Sequence, residues 1–176
     1  MRSLIVALAC MVCLATRAEE LPVRPLDSVV FLTKNTHNTP VHYGVNVDTQ
    51  CRPTDEDPVS AYWRMLEEGP DERDELKFWE QPGYGVRQPE EVDRNADSGS
   101  LALVIRGVPD HKIRLETFTS DRGCQARAIT GISGEEAILL RIDIEVSGWA
   151  NVHKVEIHGI SFSSGLEVSE VTHQGS

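Results

Sequence analysis

Val41-His-Tyr43-Gly-Val45-Asn-Val47 alternates apolar and polar residues without a break. Successive side chains of an extended chain point to opposite faces, so this stretch buries its valines and Tyr43 while His42, Gly44 and Asn46 face outward. The same period of two recurs in Ile113-Arg-Leu115-Glu-Thr117, in Leu140-Arg-Ile142-Asp-Ile144-Glu-Val146 and in Val155-Glu-Ile157. Val29-Val-Phe-Leu32 and Leu101-Ala-Leu-Val-Ile105 are unbroken apolar runs, the pattern of strands covered on both sides. Turn chemistry separates these pieces at Asn35 to Pro40, Pro109-Asp110, Asp121-Arg-Gly123, Ser133-Gly134 and Ser163-Ser-Gly165.

The pattern predicts an all-β fold of eight to nine strands, either an antiparallel β-sandwich or a partly closed barrel. One short helix is expected over 71–81: Glu72, Asp74 and Glu75 crowd its first turn, Leu76 and Trp79 stand at i, i+3, and Pro82 ends it.

The N-terminus reads as an export signal. Arg2 precedes twelve apolar residues from Leu4 to Ala15, and Thr16 and Ala18 supply the small residues of a cleavage site. Twelve residues cannot span a bilayer, which needs about 20, and no later apolar run is longer. Residues 1–18 are therefore a signal peptide, 19–27 an N-terminal extension and 28–173 a single β-domain, in a chain that is periplasmic or extracellular. The chain carries 28 Asp+Glu against 17 Lys+Arg, a formal charge of -11. Losing Arg2 and Arg17 with the signal takes this to -13. Such acidity argues against nucleic acid, whose binding needs clustered Lys and Arg, and against docking by charge on anionic lipid.

Cleavage also removes Cys10 and Cys13, so Cys51 and Cys124 remain. In an oxidising compartment they are expected to form one disulfide. The rival is a nucleophilic thiol at Cys124, but no upstream His-Gly pattern supports it.

Metal and catalytic signals are sparse. Asp93-Arg-Asn95-Ala-Asp97-Ser-Gly99 places oxygen side chains at every second position, as calcium loops do, yet its glycine comes one place late and Val104 stands where a bidentate Glu belongs. Asp93, Asn95 and Asp97 are calcium candidates beside the plainer reading of a polar loop. No other cofactor is expected. His153 and His158, five apart, fall on opposite faces of a strand and cannot converge on one ion. The nucleophile elbow, the phosphate loop and the dinucleotide fingerprint are all missing. No pair of carboxylates can be singled out for acid–base work.

The aromatic residues say more. Tyr62, Trp63, Trp79 and Tyr84 lie close together in the chain. Adjacent Tyr62 and Trp63 must point to opposite faces of a strand, so one anchors the core and the other faces solvent, a ligand or the short helix. These four are the ligand-facing candidates.

Val59-Ser-Ala-Tyr62-Trp63, Asp74-Glu-Leu76 with Trp79-Glu80, Gly83-Tyr84-Gly85-Val86, Val152-His-Lys-Val155-Glu-Ile157-His-Gly159 and Gly165-Leu-Glu-Val168-Ser-Glu170 together resemble a bacterial exported family known only as a domain of unknown function. The resemblance covers about residues 28–173. It implies a small, mostly β protein behind a signal peptide, with no activity, cofactor or catalytic residue to carry over. Cys51 and Cys124 fall outside its pattern.

The expected function is that of an exported, non-enzymatic β-domain binding a protein or cell-envelope component. The alternatives are a small-ligand carrier with a barrel cavity and a hydrolase or transferase using Cys124 or a carboxylate pair.

Overall fold

The structure, a computed structural model, describes residues 24–25, 30–35, 40–54, 57–64, 73–87, 100–147 and 151–173. The expected signal peptide, most of the expected extension and the calcium candidates Asp93, Asn95 and Asp97 lie outside these residues. Twelve strands join one sheet: β1 (Arg24–Pro25), β2 (Phe31–Asn35), β3 (Pro40–Val45), β4 (Val59–Arg64), β5 (Arg73–Glu75), β6 (Val86–Arg87), β7 (Ser100–Ile105), β8 (Val108–Ser120), β9 (Gly123–Ile132), β10 (Glu135–Ser147), β11 (Asn151–Ser161) and β12 (Glu167–His173). Nine of them run in the order β5-β4-β3-β2-β10-β9-β8-β7-β6 and curl into a half-barrel. The all-β class expected from the alternation is what forms, as the partly closed barrel. Two of the added strands have only two residues each, too short to leave a periodic trace in sequence.

β10 organises the curl. Its first residues pair antiparallel with β9, from Glu135↔Ile132 to Ile138↔Ile129, and its later ones pair parallel with β2, from Arg141↔Leu32 to Ile144↔Asn35. One edge of one strand thus serves two neighbours. The change of partner falls at a bulge, where the register against β11 slips between Leu139 and Arg141. An extra residue at a bulge resets alternation and bends the strand. Ala137 and Leu139 before it and Ile142 and Ile144 after it are therefore all buried although the parity changes. The sequence period, read as unbroken from Leu140, missed this, and with it the parallel pairing of β10 with β2. Gly159 lies opposite Leu139 in the crease, where a Cβ would come 2.6 Å from both the Ile132 Cδ1 and the Ile138 carbonyl oxygen.

The β9–β10 turn has the chemistry its sequence promises. Ser133 and Gly134 take φ of 51° and 82°, as a two-residue type I′ hairpin requires. The buried side chains form one core cluster: Phe31, Val41, Tyr43, Leu103, Ile105, Ile113, Leu115, Leu139, Ile142 and Ile157 are all buried. Phe31 and Tyr43 stack with centroids 4.4 Å apart.

Cys51 and Cys124 are joined, their Cα atoms 5.5 Å apart. Cys51 sits in the turn after β3, where the Asp48 carboxylate accepts the Gln50 and Arg52 backbone N–H groups. The bond ties this turn to β9, and the Thr117 hydroxyl adds a 2.6 Å hydrogen bond to the Cys51 carbonyl.

The helix is displaced from its expected place. Residues 73–75 form the edge strand β5, pairing with Tyr62 to Arg64, and among the described residues only α1 (Gln81–Tyr84) is an α-helix. Two features of the sequence explain this. An apolar stripe of two residues, Leu76 and Trp79, is too short to hold a helix on the core against a strand ladder. Pro82 stands in the first helical turn, where its missing N–H costs nothing, so it opens a helix instead of closing one.

Candidate functional site

β4 separates its two adjacent aromatics. Trp63 pairs with Val41 and leans on the core, whereas Tyr62 pairs with His42 on the opposite face. Tyr62 is nevertheless buried: its ring stacks 5.8 Å from His42 and carries the Arg73 guanidinium 4.8 Å from its centroid. Trp63 meets Tyr84 edge to face at 5.4 Å. The Tyr84 carbonyl accepts a 2.8 Å hydrogen bond from the buried Tyr43 hydroxyl, which fixes α1 to the core. Burial raises the pKa of both phenols, and Glu80 adds to the rise at Tyr84 against an opposing hydrogen bond with Asn35. Both are neutral at ordinary pH.

Between β5 and α1 the chain turns through Leu76 to Glu80. Leu76 is buried, and Gln81 Nε2 donates to its carbonyl. Glu80 Oε2 accepts two hydrogen bonds, from Trp63 Nε1 at 2.9 Å and from the Lys77 backbone N–H at 2.8 Å. One carboxylate oxygen therefore locks the turn to β4. Carried on this turn, Phe78 is 82% exposed and Trp79 53% exposed, their rings edge to face at 4.8 Å, with the Lys77 ammonium 5.4 Å from the Trp79 ring. On the far side, α1 docks on the β7–β8 turn through Arg106 N–H to the Gly85 carbonyl and Gly107 N–H to the Gly83 carbonyl.

The four aromatics expected to face a ligand thus divide. Tyr62, Trp63 and Tyr84 are packed within the fold, Trp79 stands at the surface, and its companion is Phe78, which the sequence reading did not single out. Its signal was present: Phe78 is two places from Leu76 and one from Trp79, so no helical stripe could bury all three.

Charged side chains line the outer face of β10 and β11. Asp143 accepts from Arg141 at 2.8 Å and lies 3.2 Å from His158, while Lys154 bridges Glu156 at 3.2 Å and Glu145 at 3.5 Å. Lys34, Arg141, Asp143, Glu145, Lys154 and Glu156 border an open groove of ≈ 490 Å³. Among the described residues no group of three His, Cys, Asp or Glu side chains is placed to hold a metal ion. No helix there is long and apolar enough to cross a membrane.

His42 carries a pH prediction. Burial first, and then the Arg64 guanidinium, hold its imidazole below the ordinary 6.5. The unfolded chain consequently binds this proton more readily, so the contribution is complete above pH 6.5 and is lost as pH falls through the lowered folded value. Denaturant melts at pH 7.5 and 5 should show a smaller acid loss for His42→Gln than for wild type.

The fold and this surface define an all-β protein on a curled half-barrel sheet, cross-linked by one disulfide, with two aromatic side chains held outward on a braced turn. The chain belongs to the family described as a domain of unknown function (DUF4833), whose family model matches residues 30–171. No curated protein and no solved structure matches it.

Proposed function

We propose that this is an exported, non-enzymatic binding domain that engages a protein or cell-envelope component through the Phe78–Trp79 turn. The observation that carries this reading is the exposure of the two rings, 82% and 53%, on a turn braced by Glu80. Large aromatics presented rigidly lose little entropy on contact and bury much area, which is why they dominate binding hot spots. The Cys51–Cys124 bond supports an exported chain, since such bonds persist outside the reducing cytoplasm. It also occupies the sulfur that a thiol hydrolase would need. The packed hydrophobic core favours surface binding over an interior ligand.

Phe78→Ser/Trp79→Ser tests the reading. Both side chains are exposed, so stability should stay within about 0.5 kcal/mol of wild type. Retention on isolated envelope material should fall about tenfold or more, the loss expected of a hot-spot pair. Retention equal to wild type would reject the surface.

A further inference from the structure

We infer, resting on the binding surface proposed above, that the component it meets is a lipid bilayer, with the Phe78–Trp79 turn inserting at headgroup depth into zwitterionic phospholipid. From Leu76 to Pro82 the chain reads Leu-Lys-Phe-Trp-Glu-Gln-Pro, and Lys77, Phe78, Trp79 and Pro82 are all exposed. Glu80 is the one carboxylate in this stretch. Its Oε2 is taken by Trp63 Nε1 and the Lys77 backbone N–H, so it is held against the fold instead of being presented with the rings. The tip therefore offers apolar side chains and one ammonium. Lys77 Nζ stands 5.4 Å from the Trp79 ring. An indole beside a lysine is a pairing that suits a bilayer interface: the ring sits at headgroup level while the ammonium reaches up to phosphate.

Area and charge favour a bilayer over a protein. Two aromatic side chains supply about 300–500 Å² of contact, whereas a stable protein interface takes about 800 Å² from each partner. Protein hot spots are also ringed by contacts that keep water out. Phe78, at 82% exposure, has almost no neighbouring surface of its own chain to form such a ring. A bilayer needs none, because its own hydrocarbon excludes water and binding follows the apolar area that enters. Charge then selects the lipid. The chain carries -11, and Asp74 and Glu75 are exposed on β5 just before the turn. Anionic headgroups repel this charge, and the two carboxylates, costly to bury, stop the insertion at the depth of the rings. Zwitterionic headgroups offer no such repulsion.

Co-sedimentation of the full chain with sucrose-loaded phosphatidylcholine vesicles tests this, run beside retention on isolated envelope material, with far-UV circular dichroism confirming that each variant is folded. Wild type should sediment with the vesicles, and Phe78→Ser/Trp79→Ser should bind them at least about tenfold more weakly. Trp79 emission should move to the blue on binding, read as the difference between wild type and Trp79→Phe because Trp63 and Trp149 also emit. Replacing about a third of the lipid with phosphatidylglycerol should weaken binding at low salt. Wild type that ignores the vesicles but is retained on envelope material, with retention lost in the double variant, would overturn the bilayer and leave the binding surface with a protein partner. Vesicle binding that survives the double substitution, or that requires phosphatidylglycerol, would overturn it as well. Wild type held by neither vesicles nor envelope material would remove the binding surface itself.

Discussion

Cys51→Ser/Cys124→Ser should lower stability by about 4 kcal/mol, or roughly 10 °C in Tm. The bond spans 73 residues of sequence, and opening so long a loop returns to the unfolded chain the entropy that the cross-link had removed. The folded side contributes as well. Cys51 holds φ of 63°, a left-handed conformation for a non-glycine residue, within a turn otherwise kept by the Asp48 carboxylate and by Thr117. Once the bond is gone that backbone has less to hold it. Chemical denaturation of both forms at equal pH measures the difference; a loss under about 1 kcal/mol would show that the turn and β9 are held by other contacts.

The second large effect is expected at Tyr43. Its ring is fully buried against Phe31, and its hydroxyl is the link from the core to α1 through the Tyr84 carbonyl. Tyr43→Ala should cost about 4 kcal/mol, the usual penalty for emptying a buried aromatic site. Tyr43→Phe keeps the packing and leaves one carbonyl without its donor, a loss of about 1–2 kcal/mol. Because Tyr84 also supports Trp63, the milder variant should change Trp63 fluorescence while the rest of the sheet stays folded. Equal losses for the two variants would mean that the hydroxyl, and not the ring, supplies the stabilisation.

These residues also show how far the sequence could be read. Val41, Tyr43 and Val45 declared their strand because one face is wet and one is dry, and the expected all-β curl follows from several such strands. Ser133-Gly134 declared its hairpin because few residues adopt positive φ cheaply. The bulge at Leu140 was hidden, since an apolar residue there continues the alternation on paper while the chain resets it in space. β5 was hidden for a related reason: Arg73-Asp-Glu75 is an exposed edge strand whose charges look like the first turn of a helix. Misplacing the helix in turn concealed Phe78. The pairing of Cys51 with Cys124 was legible from the compartment argument. What the aromatic turn binds was not, because a surface contact leaves no period and no motif in one chain.

A photoreactive phenylalanine analogue placed at Phe78, in cells that naturally produce the protein, tests the proposed binding surface most directly. The turn is rigid and its two rings point outward, so irradiation should give one discrete covalent adduct. The same analogue at Arg122, exposed on the β8–β9 turn, should give none. No adduct at Phe78, or the same adducts from both positions, would contradict the account.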